Sequence, residues 1–278
     1  MIISIKKVNN IICAIVLSLI IVSTPSLSLA ESSTSFTDIS GHWAEPQLML
    51  AYQNGLMQGS NNQIFPNSAL TRGELATILS RAFNYKDSAD ISAFTDVPST
   101  EWYADGIAKS VAYGLLNGTS STTMSPKDNV SRQEVFTIMY RALALTPINN
   151  ITLNFKDSAD IADYALEPIS TMVALDYAKG NLGYLRPLDN MSRAEFATLM
   201  NRIIGQYITQ PDMYTQTDII MGSVMIKCPG VTLTNITIYG DLFIAPDAQP
   251  DLKNVTINGR KIQIANSKNA EKLPNVKN

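Results

Sequence analysis

The sequence predicts an α+β protein: three helical hairpins in tandem, followed by a small β-solenoid-like module. Three observations carry this. The segments Thr71-Arg72-Gly73-Glu74, Ser131-Arg132-Gln133-Glu134 and Ser192-Arg193-Ala194-Glu195 repeat one pattern at spacings of 60 and 61 residues. Each precedes an apolar run of helical period. Past residue 217 the period changes to alternation, in β-branched segments that recur every 18 or 19 residues.

The chain opens on a segment that reads as a secretory signal peptide, residues 1–30. Lys6 and Lys7 precede an apolar run from Ile11 to Val22, and Ser28-Leu29-Ala30 forms a small-x-small cleavage site. The run is shorter than the roughly 18–20 apolar residues that span a bilayer. Cys13 departs with the leader, and the mature chain starts near Glu31. Loss of two lysines takes the formal charge from −3 to −5. A net negative chain argues against nucleic acid and anionic membrane as general partners. Cys228 is then the one remaining cysteine, so no internal disulfide forms and the residue is expected as a small buried hydrophobe.

Each repeat unit opens with Phe-x-Asp: Phe36-Thr37-Asp38, Phe94-Thr95-Asp96 and Phe155-Lys156-Asp157. An aromatic follows at Trp43, Trp102 and Tyr164. A first helix shows Leu48, Ala51, Tyr52; then Ile107, Val111, Gly114; then Ile169, Met172, Val173. Gly55 and Gly114 suit its C-terminal cap, whereas the third unit has Asp176 there. Gly59, Gly118 and Gly180 stand in the loop, with Pro66, Pro126 and Pro187 six residues before each motif Arg. A second helix carries Leu75, Ile78, Leu79, Ala82; then Val135, Ile138, Met139, Ala142; then Phe196, Leu199, Met200, Ile203, one-sided stripes read as core. One hairpin buries too little apolar surface to stand alone, so the three are expected to share a core.

The motif itself is a capping box. The Thr or Ser hydroxyl accepts from the amide three residues on, and the Glu reaches back to the cap amide, worth about 1 kcal/mol. The Arg is unexplained by capping. A cation at the first helical position opposes the helix dipole by roughly 0.3–1 kcal/mol. Three such mismatches imply a negative group nearby, either an internal carboxylate or an anionic ligand.

Taken together, Phe-x-Asp, Trp, Gly-x-x-x-Gly, apolar-Pro and [Thr/Ser]-Arg-x-Glu resemble the S-layer homology domain, over about residues 31–210. The resemblance implies a pseudo-threefold assembly with ligand grooves between neighbouring repeats. It implies non-covalent attachment to a bacterial cell wall through a secondary cell-wall polysaccharide, often pyruvylated. By position it assigns ligand contact to Arg72, Arg132 and Arg193, at helix ends whose free amides would point outward. All three held in internal ion pairs, away from any open cleft, would remove the basis of this reading. Asp38, Asp96 and Asp157 either accept from sugar hydroxyls, cap the first helix or pair with the Arg. Trp43 and Trp102 either lie against a sugar face or plug a seam between repeats. Gly59, Gly118 and Gly180 serve the turn or let backbone approach the ligand. Departures are Gly73 and Gln133 in place of Ala, and Tyr164 and Asp176 in the third unit, whose site is therefore the doubtful one.

The remaining chain divides as a linker at 205–216, strands to 266 and a polar tail at 267–278. Asn235-Ile-Thr-Ile-Tyr-Gly240 matches Asn254-Val-Thr-Ile-Asn-Gly259, and Ile219-Ile220-Met221-Gly222 gives an earlier copy. Expected boundaries are 1–30, 31–92, 93–152, 153–210, 211–266 and 267–278. Open strand edges leave three roles for the module: docking on the repeats, self-association or a protein partner through residues 217–266. Catalysis finds no support. His42 is the only histidine, so no metal triad and no Ser/His/Asp set can be drawn, and neither metal nor cofactor is expected. The alternative function is a structural protein of the cell surface that assembles through its β module.

Overall fold

The computed structural model describes residues 36–215 and 219–264. The expected signal peptide and the tail lie outside the described residues. The helices are α1 (Glu45–Gln53), α2 (Arg72–Phe83), α3 (Ala104–Ala112), α4 (Arg132–Ala142), α5 (Asp163–Ala174) and α6 (Arg193–Ile203). They stand at the expected positions, two to a repeat, but the expected hairpin pairing within each repeat is corrected: each second helix packs on the first helix of another repeat, α2 on α3, α4 on α5 and α6 on α1. Leu48, Ile107, Ile169 and Met172 are fully buried in the first helices. Leu75 and Leu79 in α2, Val135 and Met139 in α4, and Phe196 and Ile203 in α6 fill the core from the second.

The capping box is complete in all three second helices. The cap amides of Thr71, Ser131 and Ser192 donate to Oε2 of Glu74, Glu134 and Glu195 at 2.9, 2.8 and 2.9 Å. The first helices end on a residue of left-handed conformation: Gly55 at φ +68°, Gly114 at +66° and Asp176 at +59°. Asp176 thus does the same job as the two glycines, because Asp tolerates this region better than most residues.

The repeats are joined in a closed cycle. Leu70 N–H donates to Met191 O at 2.8 Å, Val130 N–H to Leu70 O at 2.9 Å, and Met191 N–H to Val130 O at 3.0 Å. Around this ring α2 packs on α3, α4 on α5, and α6 on α1. The first two amides of each second helix are also taken by a neighbouring repeat. Arg72 and Gly73 donate to Asp128 O and Pro126 O, Arg132 and Gln133 to Asp189 O and Pro187 O, and Arg193 and Ala194 to Ser68 O and Pro66 O. The outward-pointing amides expected at these helix ends are therefore absent. Gly73 admits the buried Tyr103 ring, which a Cβ would meet at 3.0 Å. Gln133 Oε1 accepts the Ala162 amide at the start of α5, at 3.0 Å.

The C-terminal strands are β1 (Gln206–Ile208), β2 (Met213–Thr215), β3 (Ile219–Ile220), β4 (Val224–Ile226), β5 (Thr232–Ile238), β6 (Leu242–Ile244), β7 (Asp251–Ile257) and β8 (Lys261–Gln263). All pairings are parallel, in a sheet β1-β4-β6-β8 and a second in which β5 pairs β2, β3 and β7. The register Val224↔Leu242↔Lys261 advances by 18 and then 19 residues, the repeat read in the sequence. Asn235 and Asn254 share a left-handed φ, and their side chains bond at 2.7 Å. The expected linker at 205–216 is corrected: it contains β1 and β2. Three-residue strands flanked by Gly205 and Pro211 show too little alternation to be seen in sequence.

The inner strands β4 and β6 are buried at every residue, so both of their faces are covered, whereas β1 and β8 at the edges are partly exposed. The strands dock on the helical part. Tyr177 Oη donates to Asp241 Oδ2, whose carboxylate also takes Arg260 Nη2 at 2.6 Å. Burial opposes ionisation of Asp241, but Arg260 and Tyr177 hold its pKa below the ordinary carboxylate value. At the other end Asn84 Nδ2 donates to Lys227 O at 2.7 Å. Cys228 is only half-buried, and burial raises its thiol pKa.

Candidate functional site

The three motif arginines are 6–7% exposed and tightly held. Arg193 donates from Nε to Ile64 O at 2.8 Å, from Nη1 to Glu74 Oε1 at 2.7 Å and from Nη2 to Gln58 O at 2.8 Å. Arg132 donates from Nε to Leu185 O at 2.9 Å and from Nη1 to Glu195 Oε1 at 3.2 Å. Arg72 donates to Met124 O and Asn117 O, each at 2.8 Å, and stands 3.8 Å from Glu134 Oε1. Each Arg thus pairs with the capping-box Glu of another repeat, which spends Oε2 on its own helix and Oε1 on the neighbour's Arg. Of the two negative groups that the sequence left open, the internal carboxylate is present. Burial lowers the guanidinium pKa of Arg72 and Arg132, against the opposing pull of Glu134 and Glu195. Burial raises the carboxyl pKa of Glu195, but the Ser192 amide, Arg132 and Arg186 bring it below the usual value.

These arginines nevertheless line open clefts. The Arg193 cleft, about 360 Å³, includes Gly59, Glu74, Arg81 and Trp102. The Arg132 cleft, about 400 Å³, includes Trp43, Gly180, Glu195 and Arg202. The Arg72 cleft, about 390 Å³, includes Gly118, Glu134, Arg141 and Tyr164. Every cleft takes its Arg from one repeat, its loop Gly and Glu from the next, and its aromatic from the third. The doubtful site is therefore reassigned. Tyr164 of the third unit falls in the Arg72 cleft, while Arg193 shares its cleft with Trp102.

The other expected residues resolve as follows. Trp43 and Trp102 are 62% and 61% exposed, so they do not plug a seam; each ring stands at a cleft mouth. The aspartates neither cap the first helix nor pair directly with Arg. Asp38 accepts the amides of Ile64 and Phe65, Asp96 those of Met124 and Ser125, and Asp157 those of Leu185 and Arg186, at 2.7–3.1 Å. Each carboxylate clamps a loop at a left-handed residue before proline: Phe65, Ser125 or Arg186, at φ +55°, +52° and +59°. Burial opposes charge on Asp157, yet the two amides hold its pKa below the ordinary value.

Gly59, Gly118 and Gly180 line the clefts, but their immediate neighbours are Phe36, Phe94 and Phe155 of the Phe-x-Asp segments. A Cβ on Gly180 would stand 2.5 Å from Tyr184 O and 2.6 Å from Phe155 Cε1. Gly180→Ala is accordingly expected to cost about 1–3 kcal/mol in urea unfolding, the range for overpacking. An unchanged midpoint would show that the loop yields freely.

One recurring cation was missed. Arg81, Arg141 and Arg202 each lie nine residues after a motif Arg, a spacing visible in sequence. Each reaches a carbonyl of the loop after its first helix, Leu56 O, Leu115 O or Tyr177 O, at 3.5, 3.4 and 2.9 Å. Each cleft lining therefore has at least two guanidinium groups for one carboxylate, in a chain of net charge −3.

Three repeats whose helices pack on one another in a closed cycle, with a cleft at every seam, define a tandem-repeat binding module. Residues 35–76, 93–136 and 154–197 match the S-layer homology domain, and the chain belongs to that family. It is 30% identical over 187 residues to the surface-layer 125 kDa protein of Lysinibacillus sphaericus, covering 66% of this chain and 16% of that protein. It is 23% identical over 186 residues to the S-layer protein sap of Bacillus anthracis, covering 66% of this chain and 23% of that protein. Amylopullulanase of Thermoanaerobacterium thermosulfurigenes is 28% identical over 176 residues, covering 61% of this chain and 9% of the enzyme. The chain spans less than a quarter of the length of these relatives. Its S-layer homology domains make it a protein anchored at the cell wall surface. Among the described residues no helix is long and apolar enough to cross a membrane.

Proposed function

We propose that the three seam clefts bind an anionic secondary cell-wall polysaccharide, with a carboxylate such as a pyruvyl ketal as the recognised charge. The chain is then a non-catalytic anchor. One observation supports this above the rest: three equivalent clefts hold an excess of guanidinium in a net negative protein. Trp43 and Trp102 offer an exposed ring face to a sugar, and Tyr164 a half-buried one. The buried motif arginines act from the cleft wall as a fixed positive field, not as mobile grips. Weak clefts suffice, because linked sites on one polymer gain roughly 10²–10⁴ over a single site.

In this reading the repeats form one pseudo-threefold anchor, divided at 92/93 and 152/153. The third repeat ends at 205, where β1 begins a short β-solenoid docked on the repeats through Tyr177 and Asn84. Full-length protein mixed with purified wall polysaccharide is expected to co-sediment with it and leave its chain length unchanged. Shortened glycan would assign catalysis instead. Large particles without glycan would favour an assembly role for the strands.

A further inference from the structure

The clefts are built alike but not charged alike. At the residue preceding the loop glycine, the Arg193 cleft has Gln58, the Arg72 cleft Asn117 and the Arg132 cleft Lys179. At the residue preceding the loop proline, the same clefts have Phe65, Ser125 and Arg186. Both substitutions fall in one cleft, and both cations line it with Arg132 and Arg202.

The acids present do not balance this group. Glu195 gives Oε2 to its helix cap, and its Oε1 is shared by Arg132 at 3.2 Å and Arg186 at 2.6 Å. Asp189 stands 4.0 Å from Arg186. Lys179 pairs with Asp176, which is not part of the cleft lining. Arg202 donates to the Tyr177 carbonyl, and among the described residues no carboxylate pairs with it. Burial lowers the Arg132 pKa and Glu195 raises it, while Arg186 and Arg202 lower it further, as mutually repelling cations do. The Lys179 and Arg186 side chains are 47% and 43% exposed, so a ligand can reach them.

We infer that the Arg132 cleft alone carries a second anion subsite, formed by Lys179 and Arg186 at its loop rim. It takes units of the wall polymer that bear two negative charges, whereas the other two clefts take one. This rests on the anchoring reading, because it presumes that the clefts are glycan sites.

The two tryptophans report the two relevant clefts separately, Trp43 the Arg132 cleft and Trp102 the Arg193 cleft. The full chain labelled with 15N-tryptophan is titrated with three synthetic sugars: a pyruvyl-ketal N-acetylhexosamine, the same sugar with a singly charged methyl phosphodiester, and the same sugar linked to a uronic acid. The Trp43 indole signal is expected to saturate at about fivefold lower concentration than Trp102 with a doubly charged sugar, the order of one exposed charge pair. The doubly charged sugar with the larger gap identifies the second group. Lys179→Gln with Arg186→Gln should close the gap and leave the Trp102 curve in place. Equal midpoints for both indoles with all three sugars, or a gap that survives the double variant, would overturn the second subsite while keeping the clefts as glycan sites. No shift of either indole with any sugar would overturn both readings.

Discussion

Arg193→Ala is expected to lower the unfolding free energy by about 3 kcal/mol, measured by urea denaturation of the full chain. The side chain supplies three hydrogen bonds across the seam that closes the cycle, to Ile64 O, Glu74 and Gln58 O. Truncation strands two carbonyls and leaves the partly buried Glu74 without its cross-seam cation. Removing one partner from a buried pair costs about 3–5 kcal/mol, and the partial exposure of Glu74 places this case at the lower end. Arg193→Lys should recover only part of the loss, because an ammonium cannot serve three acceptors arranged for a planar fork. If Arg193→Ala instead abolished wall binding with an unchanged unfolding curve, the residue would be a ligand grip and the structural role assigned here would fall. For the same reason, an Arg72→Ala, Arg132→Ala double variant is expected to lose stability together with binding, which its unfolding curve reads out.

Trp43→Ala combined with Trp102→Ala avoids that confusion. Both rings are mostly exposed, so the unfolding free energy should stay within about 0.5 kcal/mol of the parent. Affinity for purified wall polysaccharide should nonetheless fall about 100-fold. Each ring is the aromatic wall of one cleft, and losing two of three clefts removes the gain from linked attachment. Each single variant should lose less than the pair. Co-sedimentation across a protein concentration series measures this, and parent-like binding by the folded double variant would sink the assignment of the clefts.

What could be read from sequence was what is local in the chain. The capping boxes, the helical stripes and the left-handed helix ends depend on residues three or four apart, and all stand where expected. The destination of the motif Arg was not local. Arg193 meets Glu74 from 119 residues away, and only the closed cycle brings them together. The same closure sends Tyr164 to the cleft of Arg72 and so moved the doubtful site. The loop-clamping role of the aspartates was not legible, because their partners are backbone amides more than 25 residues distant, which carry no sequence signature. Arg81, Arg141 and Arg202 were legible, since their spacing of nine residues after each motif Arg repeats.

The ring through Leu70, Val130 and Met191 distinguishes this chain from open stacks of repeats. In an open stack each unit leans on its neighbours alone, and length can be trimmed with proportionate loss. Here every unit both gives and takes one bond of the same triangle, and each supplies the carbonyls that accept the first amides of another's helix. Deleting any one opens the triangle and frays the survivors at once, so cohesion is indivisible, and two thirds of the anchor amounts to no anchor.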